Sequence, residues 1–204
     1  MGQYYDWVNL ENCEHFGASD FINFDGNKLF ESTWKDSDML NAVYTLLGSD
    51  WKGQKIAFVG DESNRLDWEK YIDLSLYPGF TYGSYDDVYE GKNVAYQFQR
   101  TEYSIYDLEE SNYTKKEIKN AGTREYAIYR YVVNRDKKVY LDRNGSIFEK
   151  RDIFPILMAV SGREVQVKAQ GIWVGDLIEV SNDKPSDKYK NVDEELFKLF
   201  KEEC

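Results

Sequence analysis

The feature that most constrains the fold of this chain is an internal repeat. Three segments of the first half recur in the same order in the second half. The matched segments are residues 4–9 with 129–134, 25–31 with 144–149, and 51–58 with 173–180. Asn9 precedes Trp51 by 42 residues, and Asn134 precedes Trp173 by 39. Three ordered matches at similar spacing predict a duplication, so the two halves should share one fold.

Each copy begins with the pattern of a β-hairpin. The first segment alternates with a period of two and is rich in Tyr, Trp and Val, which predicts a strand. Return strands are expected at residues 14–16 and 138–141. The pairs Asp25-Gly26 and Asn144-Gly145 indicate further hairpin turns, because such turns need positive φ angles that Gly adopts easily.

A helix is expected between the hairpin and the tryptophan segment of each copy. In the first copy, apolar residues from Met39 to Leu47 lie at helical spacing, Asp36 or Ser37 can cap the start, and Gly48 ends it. In the second copy, residues 152–160 can form a helix if Pro155 lies in its first turn. Without the repeat, the apolar run before residue 165 would fit a strand equally well.

These elements predict an α+β fold. We expect a mostly antiparallel sheet from two β-β-β-α-β repeats with pseudo-two-fold symmetry, plus a C-terminal helix whose apolar face includes Val192 and Leu196. Each repeat is short, so one fused core is expected. The predicted units are a first repeat at 1–61, an insert at 62–125, a second repeat at 126–183, and a linker with the helix at 184–204.

The insert, for which the repeat shows no counterpart, is rich in tyrosine and acid. Nine tyrosines lie from Tyr71 to Tyr113 inclusive. Tyrosine offers a large contact area at low entropic cost, and neighbouring carboxylates select a cationic partner. The alternative is that about half of these tyrosines are core residues of a small sheet. The predicted binding residues are Tyr82, Tyr85, Asp86, Asp87, Tyr89 and Glu90.

The charge balance restricts the possible partners. The chain has 26 basic and 37 acidic side chains, and its formal net charge is −11. This excess of acid disfavours nucleic acid and anionic membranes, and it favours a partner protein with a basic surface. No signal peptide or membrane-spanning segment is evident in the sequence. The two cysteines are too few for a disulfide framework. We therefore expect a cytoplasmic location.

The sequence offers few catalytic groups. With one histidine in the chain, His-rich metal sites are excluded, and any Cys-His chemistry depends on His15. Cys13 is two residues away and would share its face on a strand, although two ordinary side chains beside a turn are the better interpretation. No dinucleotide fingerprint, hydrolase elbow or P-loop occurs. We therefore predict no catalytic residues, no metal and no cofactor. The alternative is an enzyme that uses Asp61 and Glu62, at a strand end, to hold a divalent metal.

Several segments resemble a family of uncharacterised bacterial and phage proteins. The opening residues 1–5 carry the resemblance together with residues 8–10, 51–53, 59–61 and 133–138. It implies a shared fold and a phage or mobile-element context, without implying any chemistry. The charge, the insert rich in tyrosine and acid, and the lack of a catalytic constellation suggest a non-catalytic binder of a basic protein surface, such as an immunity protein or a phage-encoded inhibitor. A small-molecule binder between the two repeats is a further alternative.

Overall fold

The computed structural model describes residues 3–22, 28–77, 91–98, 108–109, 113–145, 150–162 and 167–201. Within these residues the chain forms nine strands and five α-helices, and the strands form two mixed sheets. The predicted α+β class and the C-terminal helix are therefore confirmed. None of the described helices is long and apolar enough to cross a membrane.

The first sheet is built around strand β1 (Tyr5–Asn9). Strands β2 (Glu14–Gly17) and β3 (Ile56–Gly60) pair with β1 on either side, both antiparallel. Two short strands extend the sheet in parallel, β4 (Lys92–Asn93) beside β2 and β7 (Ala159–Val160) beside β3. The edge strand β7 comes from the second half of the chain, so the first sheet contains residues of both halves.

The second sheet is built around strand β5 (Tyr131–Asn134) in the same way. Strands β6 (Val139–Asp142) and β8 (Ile178–Ser181) pair with β5, both antiparallel. Strand β9 (Lys190–Asn191) lies parallel to β6. In the part of the chain that the structure describes, the long pairings are antiparallel and the parallel ones involve only two residues each.

The two sheets share their pairing registers. Asn9 is equivalent to Asn134, and Ile56 is equivalent to Ile178. Cys13 is equivalent to Lys138, and both of these turn residues have a positive φ angle. The correspondence extends into the predicted insert, because β4 and β9 are both Lys-Asn pairs beside a return strand. The expectation that the insert has no counterpart is therefore wrong for residues 92–93. Matching registers do not define an axis, so pseudo-two-fold symmetry stays a prediction.

The helices largely follow their capping signals. Helix α1 (Asp38–Leu47) begins after Ser37, whose Oγ accepts a hydrogen bond from the Leu40 N–H at 3.3 Å, and it ends at Gly48. The other helices are α2 (Arg65–Glu69), α3 (Lys115–Lys119), α4 (Phe154–Leu157) and α5 (Asp193–Lys201). Pro155 lies in the first turn of α4, as the sequence predicts.

Three elements differ from the sequence prediction. The described residues between β2 and α1 contain two short 3₁₀ helices and isolated bridges at Lys28 and Trp34, rather than the third strand of the expected repeat. Helix α4 is shorter than expected, because the Met158 carbonyl accepts the Phe58 N–H at 2.9 Å and the chain continues as β7. Residues 94–98 of the insert have a strand-like sequence, but residues 95–97 form a 3₁₀ helix.

The main hydrophobic core contains side chains from both halves. Trp7, Trp51, Phe154 and Trp173 belong to the same buried cluster. The Trp7 ring stacks on Phe154 with centroids 5.2 Å apart, which joins the first strand to α4. Since Tyr5 and Trp7 face this core, the alternation of the strand directs Asp6 and Val8 to the opposite face of the first sheet. That outer face holds the candidate site.

Candidate functional site

The six residues predicted to bind a partner, from Tyr82 to Glu90, lie outside the described part of the chain. The described residues that flank them are Tyr77 and Gly91. Tyr77 packs against an apolar cluster on the outer face of the first sheet. Gly91 lies against the turn of the first hairpin, where a Cβ would come within 2.7 Å of the Cys13 carbonyl oxygen. Tyr77 therefore lies on the outer side of the first sheet, and Gly91 lies beside its first hairpin turn.

Asp6 is the polar residue at the centre of this outer face. It pairs with Gly17 on β2 and with Val59 on β3. A Cβ at Gly17 would lie 2.0 Å from the Asp6 Oδ1, so the carboxylate lies directly over the backbone of β2. Only glycine leaves room for the carboxylate at this position.

Two further carboxylates act on Asp6, and we call Asp6, Asp20 and Asp61 the acidic face. Burial, and then the charges of Asp20 and Asp61, raise the pKa of Asp6 from its usual 3.8 to about 7. The Asp20 Oδ2 accepts hydrogen bonds from the Gly17 N–H at 2.7 Å and the Asn93 side chain at 2.9 Å. Strands β2 and β4 thus hold the second carboxylate near the first.

Asp6 and Asp61 have few polar partners among the described residues. Asp61 accepts one hydrogen bond, at 3.1 Å from the Tyr4 N–H, through its Oδ1. Among the described residues, none donates a hydrogen bond to the Asp6 carboxylate, and neither Asp6 nor Asp61 forms an ion pair. A raised pKa is the expected response of a partly buried carboxylate near like charges. This side of the first sheet therefore carries two carboxylates, Asp6 and Asp61, that no described cation neutralises.

Cys13 and His15 belong to different elements, because Cys13 lies in the hairpin turn and His15 lies in β2. Cys13 has a φ of 53° and lies in the turn, whereas β2 begins at Glu14, so alternation along a strand does not place Cys13 and His15 on one face. Burial lowers the pKa of His15, although the charge of Asp20 partly opposes this change. The imidazole is therefore neutral near pH 7 and gives no cationic partner for a thiolate.

Comparison of the two hairpins shows which outer-face residues the scaffold does not require. The second hairpin carries Tyr131 at the position of Asp6, and Tyr140 at the position of His15. The rings of these two tyrosines meet edge to face at 5.7 Å. Because the same backbone pairing accepts an aromatic face, the polar side chains of the first copy serve no general structural need. The mismatch of Asp6 with Tyr131 in the repeat could have indicated this site from sequence.

The alternative metal site receives no support from the geometry. Asp61 already accepts the Tyr4 N–H, and a Cβ at Gly162 would lie 2.0 Å from the Glu62 carbonyl oxygen, so this loop is closely packed. Asp176, which could have joined them, accepts a hydrogen bond from Asn134 at 2.7 Å. Within the residues that the structure describes, no group of three or more His, Cys, Asp or Glu side chains could hold a metal ion.

In comparisons with known protein families, with curated proteins and with solved structures, no match to this chain is found.

Proposed function

We propose that this is a non-catalytic, acidic, cytoplasmic protein that binds another protein through a basic surface of that partner. An immunity protein or a phage-encoded inhibitor has this kind of role. The observation that carries the proposal is the pair of carboxylates Asp6 and Asp61, neither of which forms an ion pair among the described residues; burial, and then the charges of Asp20 and Asp61, raise the pKa of Asp6 to about 7. A basic side chain from a partner would relieve this repulsion, and the relief would add to the affinity.

The distribution of ion pairs supports the same surface. Carboxylates around the second hairpin are mostly neutralised by neighbouring cations. The pairs there are Arg130 with Asp142, Arg135 with Glu179, and Lys137 with Asp176. The second sheet therefore compensates its own charge, whereas Asp6 and Asp61 on the first sheet do not. In a chain of net charge −11, this contrast directs the attraction for a cationic partner toward the first sheet.

The acidic residues of the predicted binding segment fit this surface. Asp86, Asp87 and Glu90 lie between Tyr77, which packs on the outer face, and Gly91, which contacts the first hairpin. The attachment of both ends beside the first sheet supports one binding surface that combines the segment with the acidic face. Tyrosines of the segment would supply contact area, and the carboxylates would supply steering and selectivity.

The test is an affinity pull-down of the tagged protein from host lysate, read by mass spectrometry at about 50 and about 200 mM salt, because screening weakens exposed charge pairs over this range. We expect one enriched basic protein that is lost at the higher salt. Joint reversal of Asp86, Asp87 and Glu90 to Lys should abolish its capture. The control Glu194→Lys changes an exposed carboxylate of α5 and should leave capture intact. The proposal would be refuted by a partner whose captured amount changes neither with salt nor with the triple reversal.

A further inference from the structure

A cavity of about 490 Å³ lies within the predicted insert, beside the 3₁₀ helix at residues 95–97 and helix α3. Its volume is within the range of about 300–1,000 Å³ that is typical of small-molecule sites. The lining residues used below are Gln97, Lys116, Glu117, Asn120 and Arg124. This cavity is distinct from the acidic face, and its interpretation does not depend on the proposed protein partner.

The wall of the cavity offers hydrogen-bond donors that the protein does not use. The Gln97 Oε1 accepts a hydrogen bond from the Arg124 Nη1 at 2.6 Å, which leaves the amide N–H groups of Gln97 for another acceptor. Lys116 is exposed and forms no ion pair, and the Asn120 side chain forms no hydrogen bond, within the part of the chain that is described. The groups left to meet a ligand are therefore mainly N–H donors.

The one carboxylate in the wall is already neutralised. Glu117 forms an ion pair with Lys92, and its Oε2 accepts hydrogen bonds from the Thr114 N–H at 2.7 Å and the Thr114 hydroxyl at 2.6 Å. The Lys92 contact leads the interactions that lower the pKa of Glu117 to about 2. Glu117 is thus ionised and compensated, and it leaves the charge of Lys116 available to a ligand.

The local charge is opposite to that of the whole protein. The cavity wall contains two cations and one carboxylate, and since Arg124 pairs with Asp50 and Glu117 pairs with Lys92, the positive charge of Lys116 is left over in a chain whose net charge is −11. A donor-rich, cationic cavity in an acidic protein selects an oxyanion, because charge-assisted hydrogen bonds from Lys and from amide N–H groups are strongest to phosphate and carboxylate oxygens. We infer that this cavity binds a small phosphate-bearing molecule, with its phosphate at Lys116 and its polar remainder at Gln97 and Asn120.

Calorimetric titration of the full-length protein with pyrophosphate, adenosine monophosphate and citrate tests the inference. We expect saturable one-to-one binding of the two phosphate compounds, tighter than that of citrate. Lys116→Ala should weaken it about tenfold, the loss typical of one charge-assisted hydrogen bond. Lys119→Ala is the matched control, because Lys119 is an exposed lysine of the same helix outside the cavity wall, and it should change the affinity less than about twofold.

Each other outcome counts against the inference. Citrate binding as tightly as the phosphates would overturn the phosphate class, and equal losses in the two lysine variants would show nonspecific attraction. The absence of saturable binding at millimolar concentrations of all three probes would remove the site. Lys116 and Lys119 are exposed and form no ion pair within the described residues, so neither substitution should disturb the fold. Thermal unfolding of both variants checks this expectation.

Discussion

Replacement of Asp6 by Asn should stabilise the protein at neutral pH and have little effect near pH 4. The folded-state pKa of Asp6 is about 7, compared with an ordinary value of 3.8, and burial is the main cause. Between these two pH values the unfolded chain has lost the proton while the folded chain retains it. Stability therefore falls as the pH rises from about 4 to about 7 and is then constant, because the unfolded state binds fewer protons in this window.

The magnitude follows from the same two pKa values. The difference between 3.8 and about 7 corresponds to about 4 kcal/mol, at about 1.4 kcal/mol per pKa unit. Asp6 is only partly buried, and solvent screening reduces this figure, so we expect a gain of about 2 kcal/mol for Asp6→Asn at pH 8. Asn keeps the shape of the protonated carboxyl, and no described residue donates a hydrogen bond to the carboxylate that the change would remove.

Urea unfolding of both proteins at intervals from pH 4 to pH 8 measures the effect. The relevant quantity is the difference in unfolding free energy between variant and wild type, because the titration of other groups is common to both proteins. Glu194→Gln, which removes an exposed carboxylate of α5, controls for the change in net charge and should give a small, nearly constant difference. An Asp6→Asn difference that does not grow between pH 4 and pH 7 would refute the reasoning.

Three further predictions concern stability and can be measured by denaturant unfolding. Gly17→Ala should lower the free energy of unfolding by about 1–3 kcal/mol, because the new Cβ would lie 2.0 Å from the Asp6 Oδ1. Most of this loss should disappear when Asp6 is also replaced by Ala, and equal losses with and without Asp6 would contradict the proposed clash. Asp152→Ala should cost about 3–5 kcal/mol, since the carboxylate is buried and accepts hydrogen bonds from the Arg143 Nε at 2.9 Å and the Tyr44 hydroxyl at 2.8 Å; a loss below about 1 kcal/mol would show that the pair is dispensable. Ser37→Ala should cost about 1 kcal/mol through loss of the α1 cap, whereas Ser37→Asp should retain most of the stability, and equal effects would reject the capping role.

Much of the fold could be predicted because the signals were local or repeated. Ser37 and Gly48 mark the ends of α1, and the apolar face with Val192 and Leu196 predicts a helix whose buried side chains do join the core. The repeat placed Ile56 and Ile178 in equivalent strands, and both registers agree with that alignment. Such elements need only a few neighbouring residues to specify them.

The elements that were missed depend on distant partners. Strands β4 and β7 contain two residues each, too few for a periodicity, and they form because β2 and β3 offer open edges. Asp6 stood within an aromatic alternating segment and showed no motif; its mismatch with Tyr131 was the sequence signal, and its surroundings of Gly17, Asp20 and Asp61 give that mismatch a meaning. The predicted binding segment from Tyr82 to Glu90 remains a prediction.

The origin of β7 has a consequence for synthesis of the protein on the ribosome. The first sheet begins with β1 at residue 5, but its outer strand is not made until residue 160. Throughout that interval the edge of β3 around Phe58 and Val59 lacks its partner. Unpaired edges are templates for association between chains. The nascent chain therefore completes its first sheet late, and the period before β7 emerges is when it most needs protection from neighbouring chains.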